Sequence, residues 1–337
     1  MEKEILPTRS ALLGITARYR QICRLRSIRQ LAESLAGWAA FYFAGLYLAD
    51  QHSPWAIPCA IGAGSFTVRL FMIQHDCGHG SFFKSRRNCE WLGFTLGILT
   101  MTPYHCWYRY HALHHAHSGK LDERGFGDIR MLTVAEYLAL PGWRRLLYRA
   151  YRHPLILFGI GPFILFCLRQ RFGYYLPAGW RKERLSIYAT NLILLALGLA
   201  VIELGDVAAA SFLAFHLGSM AFAASLGVWL FYVQHQFPDA YWDKQGDHDM
   251  VRAALHGSSY YHLPAWLRWL TANIGFHHIH HLDSRIPNYR LADCHRENAV
   301  FHEVTRVGLR DSLSLAGLKL WDERRRVMVG FDRAVRA

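Results

Sequence analysis

Long uncharged, apolar stretches alternate with polar, basic segments along this chain of 337 residues. Four of the stretches come close to or exceed the roughly 20 residues that a helix needs to cross the hydrocarbon core of a bilayer. They lie at about 31–49, 54–74, 185–202 and 207–234. The first two are joined by only four residues, and so are the last two. The pattern therefore predicts four transmembrane helices arranged as two tight hairpins.

Two shorter apolar stretches are ambiguous by length alone. Residues 91–108 contain Pro103, and residues 154–168 contain a Gly-Ile-Gly-Pro sequence and are flanked by arginines on both sides. We interpret both as re-entrant or interfacial helices, because a crossing there would separate the histidine clusters described below. The alternative, that one of them is a true crossing, stays open because hydropathy does not decide segments of this length.

Composition agrees with a membrane protein that has a large polar part. Hydrophobic residues make up 52% of the chain and charged residues 19%, with a mean hydropathy of +0.05. A transporter built mainly of membrane helices would be more apolar on average. A disordered chain would have few aromatic residues, whereas 14% of these residues are aromatic.

Lysine and arginine are concentrated outside the four long stretches, and neither hairpin joint contains one. Under the positive-inside rule, both termini and the middle segment are then cytoplasmic. The net charge of +13 suits contact with anionic lipid headgroups and with an acidic protein partner, although positive-inside topology alone explains most of it. The seven cysteines show no C-x-x-C pair, which is typical of free thiols in a reducing compartment.

Histidine clusters follow the predicted membrane exits. They are His75 and His79; His111, His114 and His115; His235; and His277, His280 and His281. Spacings of three and four residues place side chains on one face of a helix, so each cluster can direct two or three imidazoles toward one point. All four clusters follow predicted exits on the same face of the membrane, so a shared site is a better explanation than unrelated surface histidines.

The chemistry of these residues favours a redox metal site. Neutral imidazole binds zinc, copper, iron and nickel, and eight or nine imidazoles exceed the needs of one ion. Structural zinc usually also uses cysteine, and no cysteine here has suitable spacing. The Glu-x-x-His pairs of carboxylate-bridged di-iron proteins are absent from the sequence. The pattern therefore indicates an all-histidine dinuclear site and favours iron and oxygen chemistry on a lipid-soluble substrate.

The sequences HDCGH, HALHH and HHIHH, in that order and with these apolar stretches between them, resemble the three histidine boxes of the integral-membrane fatty acid desaturases and hydroxylases. The resemblance covers about 50–295, which we take as the core of a single domain spanning 1–337. Four connecting stretches look like the bacterial acyl-lipid desaturases of the ω-6 (Δ12) type. They are HDCGHGSFF at 75–83, HHAHSGKLDERGFGD at 114–128, FYVQHQF at 231–237 and NIGFHHIHHLDSRIPNYRL at 273–291.

This resemblance implies an all-α integral membrane protein whose cytoplasmic helical cap carries a non-haem di-iron centre. It implies nine ligands: His75, His79, His111, His114, His115, His235, His277, His280 and His281. His235 lies outside the three boxes and is placed by its Gln-His motif. The implied activity is O₂-dependent introduction of a cis double bond into a lipid-linked fatty acyl chain in the inner membrane of a bacterium. Electrons would come from an external donor of ferredoxin or cytochrome type.

Four further residues are candidates for orienting the ligands through hydrogen bonds. Asp76 and Asp128 offer carboxylates, and Asn273 lies one helical turn before the third box. His278 breaks the spacing of three and four, so we expect it behind the ligands rather than among them.

Three other functions remain open at this point. The same centre serves hydroxylases, ketolases and epoxygenases that act on an acyl chain, an alkane or a carotenoid. A histidine-lined metal transporter would hold its ligands in the middle of the bilayer, whereas these clusters follow the helix exits. A membrane metal sensor would not need such complete boxes.

Overall fold

The computed structural model describes residues 6–125 and 127–334, and this part of the chain is mainly helical. The helices are α1 (Arg9–Ala17), α2 (Arg24–Asp50), α3 (Ala56–His79), α4 (Arg86–Leu99), α5 (Tyr104–His117), α6 (Val134–Ala139), α7 (Gly142–Tyr151), α8 (Gly161–Phe163), α9 (Arg181–Gly205), α10 (Ala209–His235), α11 (Met250–His256), α12 (Ala265–Leu270), α13 (His277–Leu282), α14 (Asn288–Glu297), α15 (Asp311–Leu315) and α16 (Phe331–Ala334). The strands are β1 (Leu132–Thr133), β2 (Tyr260–His262), β3 (Arg306–Gly308), β4 (Leu320–Asp322) and β5 (Val327–Val329). The predicted helical class is confirmed.

Three helices, α3, α9 and α10, are long and apolar enough to cross a membrane, and they coincide with the last three predicted crossings. Helix α2 covers the first predicted crossing and is 27 residues long. Its first third carries charged side chains, including Arg29 and Glu33, and α2 does not reach the hydropathy of the other three. Three spans are therefore supported, and the fourth remains a prediction.

Close helix packing fixes the ends of α3 and α10 relative to each other. A Cβ atom on Gly64 of α3 would lie 2.6 Å from the carbonyl oxygen of Ser219 on α10, so only glycine permits this approach. Helix α2 packs against the same pair, with Gly45 facing the ring of Phe215. Because α3 and α10 both end in a histidine, this packing brings two histidine clusters toward one place.

The two ambiguous stretches do not form long straight helices. Residues 91–108 are divided between α4 and α5, and Pro103 immediately precedes α5. Most of 154–168 belongs to a helical segment, Ile156–Arg171, with π-helical turns on both sides of α8. This segment is bent by 58° from α7, a geometry that fits either a broken span or a re-entrant segment.

The path of Ile156–Arg171 favours the re-entrant interpretation. At its start, the ring of Phe158 lies 5.0 Å from that of Tyr232, close to the histidine end of α10. Toward its end, Cys167 packs with Met220, three to four turns farther from that end. The chain then returns, because the ring of Trp180 lies 5.1 Å from that of Tyr110, next to His111. We call Ile156–Arg171 the bent segment below.

The polar cap contains two small sheets that the sequence pattern did not predict. Strands β1 and β4 are parallel, β4 and β5 are antiparallel, and β2 and β3 form a separate parallel pair. A fully buried Arg152 joins this cap to the membrane helices by donating to the Gln236 side chain and to the Leu318 carbonyl. The C-terminal part of the chain is thereby attached beside the end of α10.

Candidate metal centre

Helix α3 presents the first histidine pair at its C-terminal end. His75 and His79 are one turn apart, and the helix is closed by Gly80, which has a φ of 68°. Glycine adopts this left-handed conformation at little cost, so the helix ends directly after His79. The first box therefore lies on the membrane helix itself.

Helix α5 carries the second box. His111, His114 and His115 lie on its last turns, and the indole of Trp107 is stacked on His111 with ring centroids 4.9 Å apart and planes 15° apart. This contact fixes the orientation of the His111 ring by packing rather than by a hydrogen bond.

The third box occupies α13, and its position is set from the end of α10. The backbone N–H of Ser259 donates to the Gln234 carbonyl at 3.0 Å, and that of Tyr261 donates to the Gly275 carbonyl at 2.8 Å. A Cβ atom on Gly275 would lie 2.4 Å from the Tyr261 carbonyl oxygen, so this approach requires glycine. The two contacts hold α13 beside His235, the last residue of α10.

All nine predicted ligands come together, in two groups. The five-histidine group is His75, His79, His111, His115 and His280, and the four-histidine group is His114, His235, His277 and His281. Within each group, every residue offers a ring nitrogen within 4.8 Å of the others. The second and third boxes contribute to both groups, so neither group corresponds to one sequence motif.

The spacing of the ring nitrogens fits ligands around a single ion in each group. The Nε2 atoms of His79 and His111 are 2.9 Å apart, and those of His114 and His235 are 3.2 Å apart. Imidazole nitrogens bound at about 2.1 Å to one ion, at right angles, lie about 3 Å from each other.

Hydrogen bonds on the far side of two rings give independent support for a cation. His114 Nδ1 donates to the Asp128 carboxylate, and His235 Nδ1 donates to the Gly257 carbonyl at 3.2 Å. A neutral imidazole carries one proton, so both Nε2 atoms present lone pairs to each other at 3.2 Å. That arrangement is repulsive unless a cation lies between them, so these residues fit a metal ion.

Burial keeps the ligands of the cap neutral. Burial, followed by repulsion among neighbouring imidazoles, lowers the pKa of His111, His115, His277, His280 and His281 well below its usual value. Neutral imidazole is the metal-binding form. For Asp128, burial alone would raise the pKa, but the neighbouring His114 imidazole and its hydrogen bond lower it below its usual value. Asp128 is therefore an anion beside the ring that it orients.

The four candidate supporting residues have different surroundings. Asp128 bonds a ligand directly, as described above. Asp76 has one oxygen 3.5 Å from His75 Nδ1, whereas its other oxygen accepts from the backbone and side chain of Asn288. Asn273 donates to the Asn288 carbonyl rather than to a ligand.

His278 lies on the opposite side of α13 from both groups. It is fully buried, and its ring is 5.4 Å from that of His295 and 6.1 Å from that of Tyr260. It packs behind the two groups, and no hydrogen bond joins it to any of their histidines within the described residues.

Sequence reasoning missed several residues that hold the site. Asp283, directly after α13, accepts hydrogen bonds from Thr16 and Arg20 at 2.6 Å, so the N-terminal segment fixes the end of the third box. The Gly257 carbonyl that orients His235 is a backbone group, which no side-chain motif can reveal. In the sequence, the only indication of a role for Asp283 was its position directly after the apolar residue that ends α13.

A cavity of about 390 Å³ lies against the centre. His75, His111, His114 and His277, two from each group, line one end of it. From there it runs between α3 and α10, past Phe231, as far as Thr67 and Met220. Its size is ordinary for a small-molecule site, and its mainly apolar walls suit a long hydrocarbon chain.

His216 is a polar residue within α10, and its ring has a hydrogen-bond partner on another membrane helix. Its Nδ1 lies 2.9 Å from the hydroxyl of Tyr42 on α2. This bond joins two membrane helices, and it lies outside both histidine groups.

Comparison with known proteins agrees with the geometry of the site. The fatty acid desaturase family profile matches residues 51–309. A protein of Bacillus subtilis (strain 168) named fatty acid desaturase is 39% identical over 335 residues, which are 99% of this chain and 94% of the relative.

Two cyanobacterial relatives from Synechocystis sp. (strain ATCC 27184 / PCC 6803 / Kazusa) are more distant. One, named sn-1 oleoyl-lipid 12-desaturase, is 28% identical over 257 residues, 74% of this chain and 70% of the relative. Another, named sn-1 acyl-lipid omega-3 desaturase (ferredoxin), is 28% identical over 241 residues, 68% of this chain and 63% of the relative. The match over most of the chain, together with the histidine boxes, shows that this protein belongs to the fatty acid desaturase family and is an oxidoreductase.

Proposed function

We propose that this enzyme introduces a cis double bond into a fatty acyl chain carried by a membrane lipid, using O₂ and a non-haem di-iron centre. The observation that carries the proposal is the position of two groups of histidine nitrogens at one end of a long apolar cavity. A di-iron centre without an apolar cavity would not select acyl chains. An apolar cavity without the metals could not oxidise an acyl chain.

The nine histidines would hold the two irons, the five-histidine group one ion and the four-histidine group the other. When bound, the irons supply the O₂-activating redox chemistry, which protein side chains lack. The overall reaction balances when two adjacent methylenes lose one hydrogen each, an external donor supplies two electrons and the solvent supplies two protons. O₂ is then reduced to two molecules of water.

The residues of the chain have three tasks in this reaction. The histidines keep both ions fixed from separate helices, and Asp128 holds His114 in the tautomer that binds metal. The apolar walls exclude water and hold the acyl chain extended past the ligands. Because an acyl chain has no polar group near its middle, the distance from the ligands to the ends of the cavity must select the carbons that react.

Several finer parts of the proposal are based on the names of the relatives and on the sequence pattern. The names of two relatives specify lipid-bound acyl chains, and one specifies ferredoxin. We therefore propose an ω-6 (Δ12) position, a ferredoxin-like or cytochrome donor, and a site on the cytoplasmic side of a bacterial inner membrane. Histidine groups at the ends of α3 and α10 favour an enzyme over a transporter, whose ligands would lie midway along the spans.

Expression in a bacterium that lacks polyunsaturated lipids tests the proposal. Gas chromatography of the fatty acids should reveal a new diunsaturated species with wild-type protein and none with His280→Ala. Hydroxylated or keto products instead would assign the chain to the related oxygenases. An unchanged fatty acid profile, with about two irons bound per chain in the membrane, would rule out desaturation of the acyl chains that the host offers.

A further inference from the structure

The cavity beside the histidine groups reaches the protein surface at two places. Among its described lining residues, three are exposed: Gly125, Gly127, which lies next to His114, and Arg169, near the end of the bent segment. The first opening lies beside the metal centre. The second lies in a different chemical environment, and it suggests how the substrate is held.

Apolar and aromatic side chains surround the Arg169 opening. Leu168, Phe172 and Tyr174 are 51%, 55% and 80% exposed, so they do not form part of the protein core. Exposed aromatic rings beside a cation are typical of the interface between lipid headgroups and hydrocarbon. The second opening therefore faces the membrane, where an acyl chain can enter sideways without crossing water.

Arg169 is a cation without an acidic partner in the described part of the chain. Its guanidinium lies over the ring of Tyr175, 4.8 Å from the centroid, and Tyr175 also lines the cavity. Arg171, two residues on, is different because it donates to the Met101 carbonyl and, at 3.1 Å, to the Asn191 side chain. Arg171 therefore has a structural role, whereas Arg169 is available to bind an anion at the edge of the cavity.

Gln170, the next residue, has an unsatisfied polar atom in the cavity wall. Its Oε1 atom is buried and accepts no hydrogen bond from the described residues. Burying a polar atom without a partner costs free energy that a bound ligand can restore. A carboxamide can turn to donate or to accept, so it can bind an ester carbonyl or a hydroxyl group.

We propose that Arg169 and Gln170 form the subsite for the polar end of a membrane phospholipid, with Arg169 binding its phosphate and Gln170 the acyl ester. A negatively charged phosphate and an ester, a few bonds apart, match a cation and an amide on adjacent residues. The inference rests on the proposed desaturase function and adds the residues that bind the polar end of the carrier lipid. The acyl chain reacts while it is esterified in a bilayer phospholipid rather than as a soluble thioester.

The test compares two arginine substitutions in the full-length, iron-loaded enzyme. Arg169→Gln removes the proposed phosphate ligand, and Arg181→Gln removes an exposed charge from the same basic region without touching the cavity. Each protein is reconstituted into vesicles containing either dioleoylphosphatidylglycerol or dioleoylglycerol, which has the same acyl esters without phosphate. A ferredoxin and its reductase supply electrons, and oleoyl-CoA in solution provides a third substrate. Diunsaturated product and iron per chain are measured.

The wild-type enzyme and Arg181→Gln should prefer the phospholipid to the diacylglycerol, and Arg169→Gln should lose most of that preference. Charge-assisted hydrogen bonds predict a loss of about ten- to a hundredfold, mainly in KM, with iron content unchanged. Arg169→Lys should recover part of the preference, and Gln170→Leu should weaken both lipid substrates, because both carry the ester.

Equal preference for phospholipid in Arg169→Gln and Arg181→Gln would overturn the proposal. Faster wild-type turnover of oleoyl-CoA than of the phospholipid would overturn it as well. Absence of product from every wild-type reaction would instead contradict the desaturase function itself, so the two failures are distinguishable. If Arg169→Gln does not fold, Arg169→Lys carries the comparison of the two lipids with a smaller loss of preference, and Gln170→Leu tests the ester contact through its loss on both lipids.

Discussion

The two histidine groups use the same ligand atom but are held in place by different means. In the four-histidine group, two rings are fixed from behind through Nδ1, one by the Asp128 carboxylate and one by the Gly257 carbonyl. Within the described residues, no hydrogen bond reaches an Nδ1 atom of the five-histidine group. There the stacked Trp107 orients His111, and Asp76 comes no closer than 3.5 Å to His75.

In the proposed two-ion centre, this difference implies unequal control over the two metal ions. A carboxylate behind an imidazole raises the basicity of the ligand and adds negative charge near the ion. Packing fixes geometry without adding charge. We therefore expect the four-histidine ion to depend on Asp128 for its affinity and the five-histidine ion to depend on the shape of its surroundings.

Removing one ligand from each group should have the largest effect. His280→Ala and His114→Ala should each abolish double-bond formation, because the reaction needs both ions, and each should lower iron content chiefly in its own group. Fatty acid analysis and metal analysis of the purified proteins check this. His117→Ala on α5 is the matched control, since His117 lies outside both groups. Full activity in either ligand variant would refute its assignment.

Filling the cavity should abolish most activity without disturbing either ion. Gly227 lines the cavity, and a Cβ atom there would meet no protein atom within 4 Å, so Gly227→Leu projects its side chain into open space. Product should fall at least about tenfold while iron content stays at the wild-type level. Gly218→Leu, at an exposed position of the same helix, provides the control. Equal activity in the two variants would show that the cavity does not hold the acyl chain.

Asp128→Asn should affect the two groups unequally. The amide keeps the shape of the side chain but loses its charge, and losing such a partner typically lowers metal affinity about 10–100-fold. During titration with an iron chelator, the four-histidine ion should be released at a lower chelator concentration than in the wild type. The five-histidine ion should be released at the wild-type chelator concentration. Asp76→Asn is the matched control, with a much smaller shift. Simultaneous release of both ions from Asp128→Asn would show that the groups are not held independently.

Trp107→Leu should weaken binding of the five-histidine ion rather than of the four-histidine ion, and by a smaller factor. Losing the stacked indole frees the His111 ring, so the five-histidine ion should become the weaker one by a few-fold, since packing contacts of this kind contribute about 1 kcal/mol. The same chelator titration measures it, with Trp91→Leu at an exposed site on α4 as the control. Weakening of the four-histidine ion instead would contradict the proposed role of packing.

The smallest effect should come from the N-terminal contact with α13. Thr16→Val removes one buried hydrogen bond to Asp283 and should destabilise the protein by about 1–2 kcal/mol. Because α13 supplies ligands to both groups, iron affinity should fall slightly and equally for the two ions. Thermal unfolding and chelator titration check this, with Thr95→Val, an exposed helical threonine, for comparison. A selective loss of one ion would show that α13 does not act as a unit.

The sequence predicted which histidines meet better than it predicted how they are grouped. Spacings of three and four residues identify histidines that share a helical face, and all nine of these predicted ligands meet in the structure. Yet His114 and His115, adjacent in the second box, belong to different groups. Which ion each ring faces depends on how α5, α10 and α13 pack, and that is tertiary information.

Similar limits explain the rest of the fold. Three spans are evident from hydropathy because an apolar helix of that length has no other stable environment. The strands of the cap have only two or three residues each, too few for an alternating pattern to be recognised. The Asp283 contacts to Thr16 and Arg20 join residues more than 260 positions apart, so local periodicity could not have predicted them.

Anomalous X-ray diffraction at the iron absorption edge, from crystals of the iron-loaded enzyme, tests the central claim most directly. Two peaks are predicted, one among the ring nitrogens of His75, His79, His111, His115 and His280 and one among those of His114, His235, His277 and His281. A single peak, or a second peak located away from these nitrogens, would contradict the two-ion centre on which the proposed desaturation depends.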